Sequence, residues 1–174
     1  MHDELSEHLQ PNPSYPPDCF RLEDLKAFQS FESQMIADVN YYFWLNRAEG
    51  SDASPYRFLY FLELLFEDLE PLLLSAGEDS LAIRISNAQD LLQTARELQT
   101  LHGRVSMQRV NAGSFPLWQP VIGKVLEAIH LPRHENGLYA NDALQLDFGE
   151  RRIIVQLAQR EGLELVMSDD LPPS

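Results

Sequence analysis

Glu127 and His130 stand three residues apart in an apolar segment, a Glu-x-x-His spacing that puts both side chains on one face of a helix. In helical bundles that hold two metal ions, such a pair recurs on two helices and single glutamates come from the other two. Glu63 or Glu67 offers one such carboxylate, but the remaining histidines, His2, His8, His102 and His134, supply no second pair. A histidine in the last turn of a helix is also accounted for by the negative end of the helix dipole. With half of the ligand set missing, no cofactor or metal is expected. Glu127 and His130 are the metal candidates, and they define one alternative function, a helical metal-dependent or small-molecule-processing enzyme that also uses carboxylates of the second predicted helix.

Glu63, Glu67 and Glu70 share one face of that second helix. Buried together, they would repel one another and raise at least one pKa, the condition for general acid–base work. Left in water they are the polar face of an amphipathic helix. Aligned at the surface they focus a field that attracts a basic partner. Glu78 and Asp79 extend the stripe at the adjoining turn, where Asp79 serves equally well as an N-cap.

Cys19 is the only cysteine, which excludes an intrachain disulfide and a Cys-based metal site and fits a reducing compartment. It follows a proline-rich stretch, has no histidine near it in sequence and reads as a packing residue. The chain contains no G-x-S-x-G elbow and neither glycine-rich phosphate-binding motif, so no catalytic residue is assigned.

The run Tyr41-Tyr42-Phe43-Trp44 spans about 400° of helix, so at least one ring must leave its own core stripe. Neighbouring helices of a bundle bury all four in one reading; an interface takes one of them in the other. In that second reading Tyr41 or Trp44 is an interface aromatic, and Phe115, Trp118 and Pro120 form a second such patch.

These residues require elements to hold them. The spacing of Leu25, Phe28, Phe31, Met35, Val39 and Tyr42 predicts a helix over 20–48, with Asp18 as N-cap. Ser54 and Pro55 open a second predicted helix, running to Ser75, that is apolar around most of its circumference and belongs at the centre of a bundle; Pro71 kinks it or ends its regular part. Two more helices are predicted over 79–101 and 117–129. In the last 35 residues Leu144, Leu146 and Phe148 alternate, then Ile153, Val155 and Leu157, then Leu163, Leu165 and Met167. Period two predicts a three-stranded antiparallel meander, although 150–161 also fits helical spacing. The fold class expected is therefore α+β, predominantly helical, with about four helices in a bundle-like core and a small C-terminal meander. The organisation expected is a proline-rich arm over 1–18, one globular domain over 19–168 and a tail over 169–174.

Charge decides between partners. The net charge is −14, and residues 1–80 hold 16 acidic against 4 basic side chains. Such a surface repels nucleic-acid backbones and anionic membranes. Phe58 to Leu74 carries four carboxylates and cannot be a transmembrane helix. The Met-His-Asp-Glu start lacks the features of a signal peptide, so a cytoplasmic protein is expected. The function expected is a non-enzymatic binding module (adaptor, regulator or inhibitor) whose acidic N-terminal helical surface engages a basic protein. The partner-binding residues would be Glu63, Glu67, Glu70, Glu78, Tyr41, Trp44 and Trp118. A homo-oligomeric assembly component held by the aromatic patches is the third reading.

Overall fold

The strand Tyr56–Phe66 lies where the second predicted helix was expected, and it organises the molecule. A computed structural model describes residues 17–46, 56–77, 80–102, 105–158 and 161–168. The elements are α1 (Leu22–Phe31), β1 (Gln34–Asn46), β2 (Tyr56–Phe66), β3 (Leu72–Ser75), β4 (Arg84–Ser86), α2 (Ala88–His102) and β5 (Val105–Asn111). A 3-10 turn at Gln119–Val121 follows, then β6 (Val125–Leu126), β7 (Ala128–His130), β8 (Ala143–Asp147), β9 (Arg152–Ala158) and β10 (Gly162–Ser168). The helical bundle is thus overturned: the described residues form a ten-stranded sheet with two α-helices.

The sheet curls until it closes. β1 pairs antiparallel with β2, with Asn40 opposite Glu63 and Tyr42 opposite Phe61. The N-terminal end of β1 pairs with β6, and only Glu127 separates β6 from β7. β7, β8, β9 and β10 are successively antiparallel. β10 returns to β2 through one parallel pair, Gly162 with Leu59, beside which Leu59 N–H donates to the Glu161 carbonyl at 3.0 Å. The other pairings extend the sheet outside this ring: β3 and β4 follow β2, and β5 lies on β1. α2 carries the chain between those two edges, from β4 to β5.

An apolar run is the reason for the misreading. Phe58–Leu62, Leu64 and Phe66 are all buried, on both faces of β2. A strand enclosed on both faces reads as a continuous hydrophobic run, as a helix at the centre of a bundle does. In β1, Tyr41 and Phe43 take one face and Tyr42 and Trp44 the other, so the four aromatics need period two and not 400° of helix. Pro71 does not kink a helix; it ends the turn before β3. The first predicted helix stops at Phe31, and Ser33, at φ 71°, turns the chain into β1. Arg21 is at the N-cap position in place of Asp18, and its N–H donates to Asp24 at 2.8 Å. The third predicted helix begins only at Ala88, after a reciprocal cap in which Asn87 and Asp90 accept from each other's N–H groups at 2.8 and 3.1 Å. The fourth is replaced by the 3-10 turn, β6 and β7.

The last three strands do pair antiparallel, with Leu144 opposite Val155 and Val155 opposite Leu165. They are not an appendage, since they complete the ring, and 152–158 is β9 and not helix. Val39, Leu62, Leu64, Leu126, Leu144, Leu146, Ile153 and Val155 are at most 1% exposed, each contributing about 1.5–3 kcal/mol of burial. No described helix is long and apolar enough to cross a membrane. Residues 1–16 and 169–174, most of the expected arm and the whole tail, lie outside the described residues.

Candidate functional site

Strand periodicity puts Asp38, Asn40 and Tyr42 on one face of β1, with Glu63 of β2 and Arg109 and Asn111 of β5 beside them. Glu63 Oε1 accepts from Asn40 Nδ2 at 2.9 Å and from the Tyr42 hydroxyl at 3.2 Å. Asn111 Nδ2 reaches Asp38 Oδ2 at 2.8 Å and Asn40 Oδ1 at 3.2 Å. Burial pushes the Tyr42 phenol up, and the Glu63 carboxylate adds to this while Arg109 works against it. Tyr42 therefore stays a neutral donor at ordinary pH. Asn40, 5% exposed, lies between the two carboxylates. This is a network of satisfied partners that fixes the register of three strands, and Glu63 belongs to it.

Glu67 and Glu70 part company with Glu63. They lie with Asp68 on the exposed turn between β2 and β3, around Leu69, itself 37% exposed. None of the three carboxylates has an ion-pair partner among the described residues. Glu78 lies outside the described residues.

The aromatic candidates also separate. Trp118 is fully enclosed, and its Nε1–H donates to the buried Tyr41 hydroxyl. Both belong to the core rather than to an interface. Trp44 is half-buried against the rings of Phe58 and Tyr60. Phe115, 37% exposed, lies edge-on to Tyr41.

Glu127 and His130 are not on a helix. Three residues apart along extended backbone, they project to opposite sides. Glu127 lies over Gly149, where a Cβ would come within 2.3 Å of its Oε2. His130 Nε2 is 3.1 Å from Asp147 Oδ2, and Arg152 Nε is 3.5 Å from the same oxygen. Desolvation pushes Asp147 up, but the Gly149 N–H, His130 and Arg152 outweigh it and hold the carboxyl below its ordinary value. The open cleft beside Glu127, about 740 Å³, is ringed by Lys124, Glu127, Glu150 and Arg151. Acids and bases are mixed there, so it favours neither an anion nor a cation.

One grouping had no signal in the sequence. Asp18 and Cys19 lie against His134, and their ligand atoms fall within 4.8 Å of one another. Residues more than a hundred positions apart leave no spacing motif, and a single cysteine suggested no metal chemistry. Comparison with known protein families, curated proteins and solved structures gave no match.

Proposed function

We propose that this chain is a non-enzymatic binding module, working in the cytoplasm, that engages a protein with a basic surface through the β2–β3 turn. The observation that carries this reading is the turn itself: Glu67, Asp68 and Glu70 are exposed and unpaired among the described residues, around a partly exposed leucine. An apolar contact ringed by like charges suits a basic partner, because the charges accelerate encounter while Leu69 supplies desolvated area. The overall charge of −14 favours the same class of partner. Glu63 takes no direct part, since it is engaged with Asn40 and Tyr42.

The test compares the wild-type chain with the triple variant Glu67→Gln, Asp68→Asn, Glu70→Gln as baits in a lysate of the host. A basic protein held by the wild type at low salt, released at high salt and not held by the variant supports the reading. A partner held equally by both baits removes the turn from it. Exposed substitutions of this kind change stability by no more than about 0.5 kcal/mol, so the comparison is not confounded by unfolding.

Self-association is a second reading with its own observation. Met35 and Val125 are opposite one another in the β1–β6 pair and are 41% and 40% exposed. Solution mass that rises with concentration, and stops rising in Met35→Lys, supports it.

A further inference from the structure

Asp18, Cys19 and His134 bring a carboxylate, a thiol and an imidazole to one point. Backbone pairing places the first two. Phe20 N–H donates to the Tyr139 carbonyl at 2.8 Å, Cys19 bridges to Ala140, and Asn141 N–H donates to the Asp18 carbonyl at 3.2 Å. The side chain of Asn141, a residue only 7% exposed, ties down the Pro17 carbonyl at 2.9 Å. His134 comes from a tight turn, closed by its N–H to the Leu138 carbonyl at 2.8 Å and by Gly137 N–H to its own carbonyl at 3.0 Å. Both sides of the cluster therefore rest on hydrogen-bonded backbone.

The donor atoms converge. Cys19 Sγ is 3.6 Å from Asp18 Oδ1, and His134 Nε2 is 3.7 Å from Asp18 Oδ2. Around a tetrahedral zinc, with bonds of about 2.3 Å to sulfur and about 2.0–2.1 Å to nitrogen and oxygen, neighbouring donors lie about 3.3–3.6 Å apart. A second observation is independent of this spacing. His134 Nε2 is shielded from solvent and has no hydrogen-bond partner among the described residues. Asp18 Oδ2, at 3.7 Å, lies beyond hydrogen-bonding distance of it, and a metal ion between the two would satisfy both. Asp18 is largely exposed, so an ion has a way in.

We propose that Asp18, Cys19 and His134 bind one zinc-like transition-metal ion, with three protein ligands and the fourth position left to water. On binding, the Cys19 thiol gives its proton to solvent as the metal–sulfur bond forms, with no change of oxidation state. The sulfur and nitrogen donors select zinc or cobalt against magnesium and calcium, which require oxygen. The ion would cross-link the stretch before α1 to the 134–141 hairpin, so it also stabilises the fold.

The test is titration of the full chain, reduced and metal-free, with Co²⁺. The expected result is one equivalent bound, with the visible bands of tetrahedral cobalt and a near-ultraviolet sulfur-to-cobalt charge-transfer band. Cys19→Ser should lose the charge-transfer band. His134→Ala should bind more weakly by more than the roughly 10–100-fold that loss of a supporting contact costs. Because His134 is partly exposed on a turn, that variant keeps the fold, which its metal-free unfolding transition checks. Absence of stoichiometric binding overturns the proposal, as does an unchanged spectrum in the Cys19→Ser/His134→Ala double variant.

Discussion

Trp118 donates its indole N–H to the phenol oxygen of Tyr41 at 2.5 Å, across 77 positions of sequence and inside the core. The contact joins β1 to the segment that leads into the 3-10 turn, beside the backbone hydrogen bond from Ala112 N–H to the Val39 carbonyl at 2.8 Å. Burial pushes the Tyr41 phenol up to about 12, although the Trp118 hydrogen bond favours the phenolate and offsets part of that rise.

Tyr41→Phe should therefore destabilise the protein by about 1–3 kcal/mol, because it leaves a buried indole N–H without an acceptor. Its pH dependence has a definite sign. An unfolded tyrosine ionises near pH 10 and the folded one at about 12, so the unfolded chain releases its proton first. The Tyr41 contribution is whole below about pH 10 and is lost as pH rises toward 12. Denaturant unfolding across this range should show a fall in the wild type that is smaller in Tyr41→Phe.

Gly162→Ala should be the most damaging of the glycine substitutions. Gly162 has φ +79°, and an added Cβ would meet the Leu59 carbonyl oxygen at 2.2 Å, which is backbone and cannot swing away. The same residue makes the single β2–β10 pair. A loss of roughly 3 kcal/mol is expected, the upper end of the range for backbone strain. Gly137→Ala, at φ +84° with nothing within 4 Å, is the matched control and should cost only about 1 kcal/mol. Equal losses in thermal unfolding would show that the contact with Leu59 does not matter.

Asp147→Asn should matter at neutral pH and cease to matter in acid. The folded carboxyl is held below its ordinary value of 3.8, so its contribution is present above that pH and disappears as pH falls through the lower folded value. The stability difference between the two proteins should be about 1–2 kcal/mol near neutrality and should vanish as pH falls through the lowered folded value. A difference that stays constant with pH would assign the loss to packing.

Leu98→Ala should loosen α2 before the rest. Leu98 is the one buried side chain described on that helix, fully enclosed, and deletion to alanine costs about 2–5 kcal/mol at such sites. Hydrogen exchange should rise first in 88–102, with the strands of the ring responding less.

Legibility varied with the environment of each segment. Period two was plain in Leu144–Leu146 and Ile153–Val155, because one face of β8 and β9 is enclosed and the other is partly wet. It was masked in β2, where Leu62 and Leu64 face one side, Phe61 the other, and all are buried. The run 41–44 signals a strand by aromatic enrichment, but Leu25, Phe28 and Phe31 extend a helical spacing into Met35 and Val39 by coincidence. Ser33, whose φ of 71° breaks that spacing, is neither glycine nor asparagine, the residues that mark a left-handed turn position. Among the candidate residues, exposure of Glu67 and Glu70 followed from their polarity. Retention of Glu63 by Asn40 and Tyr42 depended on a strand register that single-chain periodicity does not supply.

The pair between Leu59 and Gly162 also sets an order of events during synthesis. A ribosome adding about 5–20 residues per second takes roughly 5–20 s to cover the hundred residues between them. Throughout that interval β2 can pair with β1 and β3, but its edge opposite β1 at Leu59 lacks the Glu161 carbonyl and the Gly162 backbone that meet it in the folded chain. The ring of strands cannot close until β10 has emerged. Newborn chains are therefore most vulnerable to aggregation in the interval before β10 emerges, when chaperone occupancy of that edge would matter most.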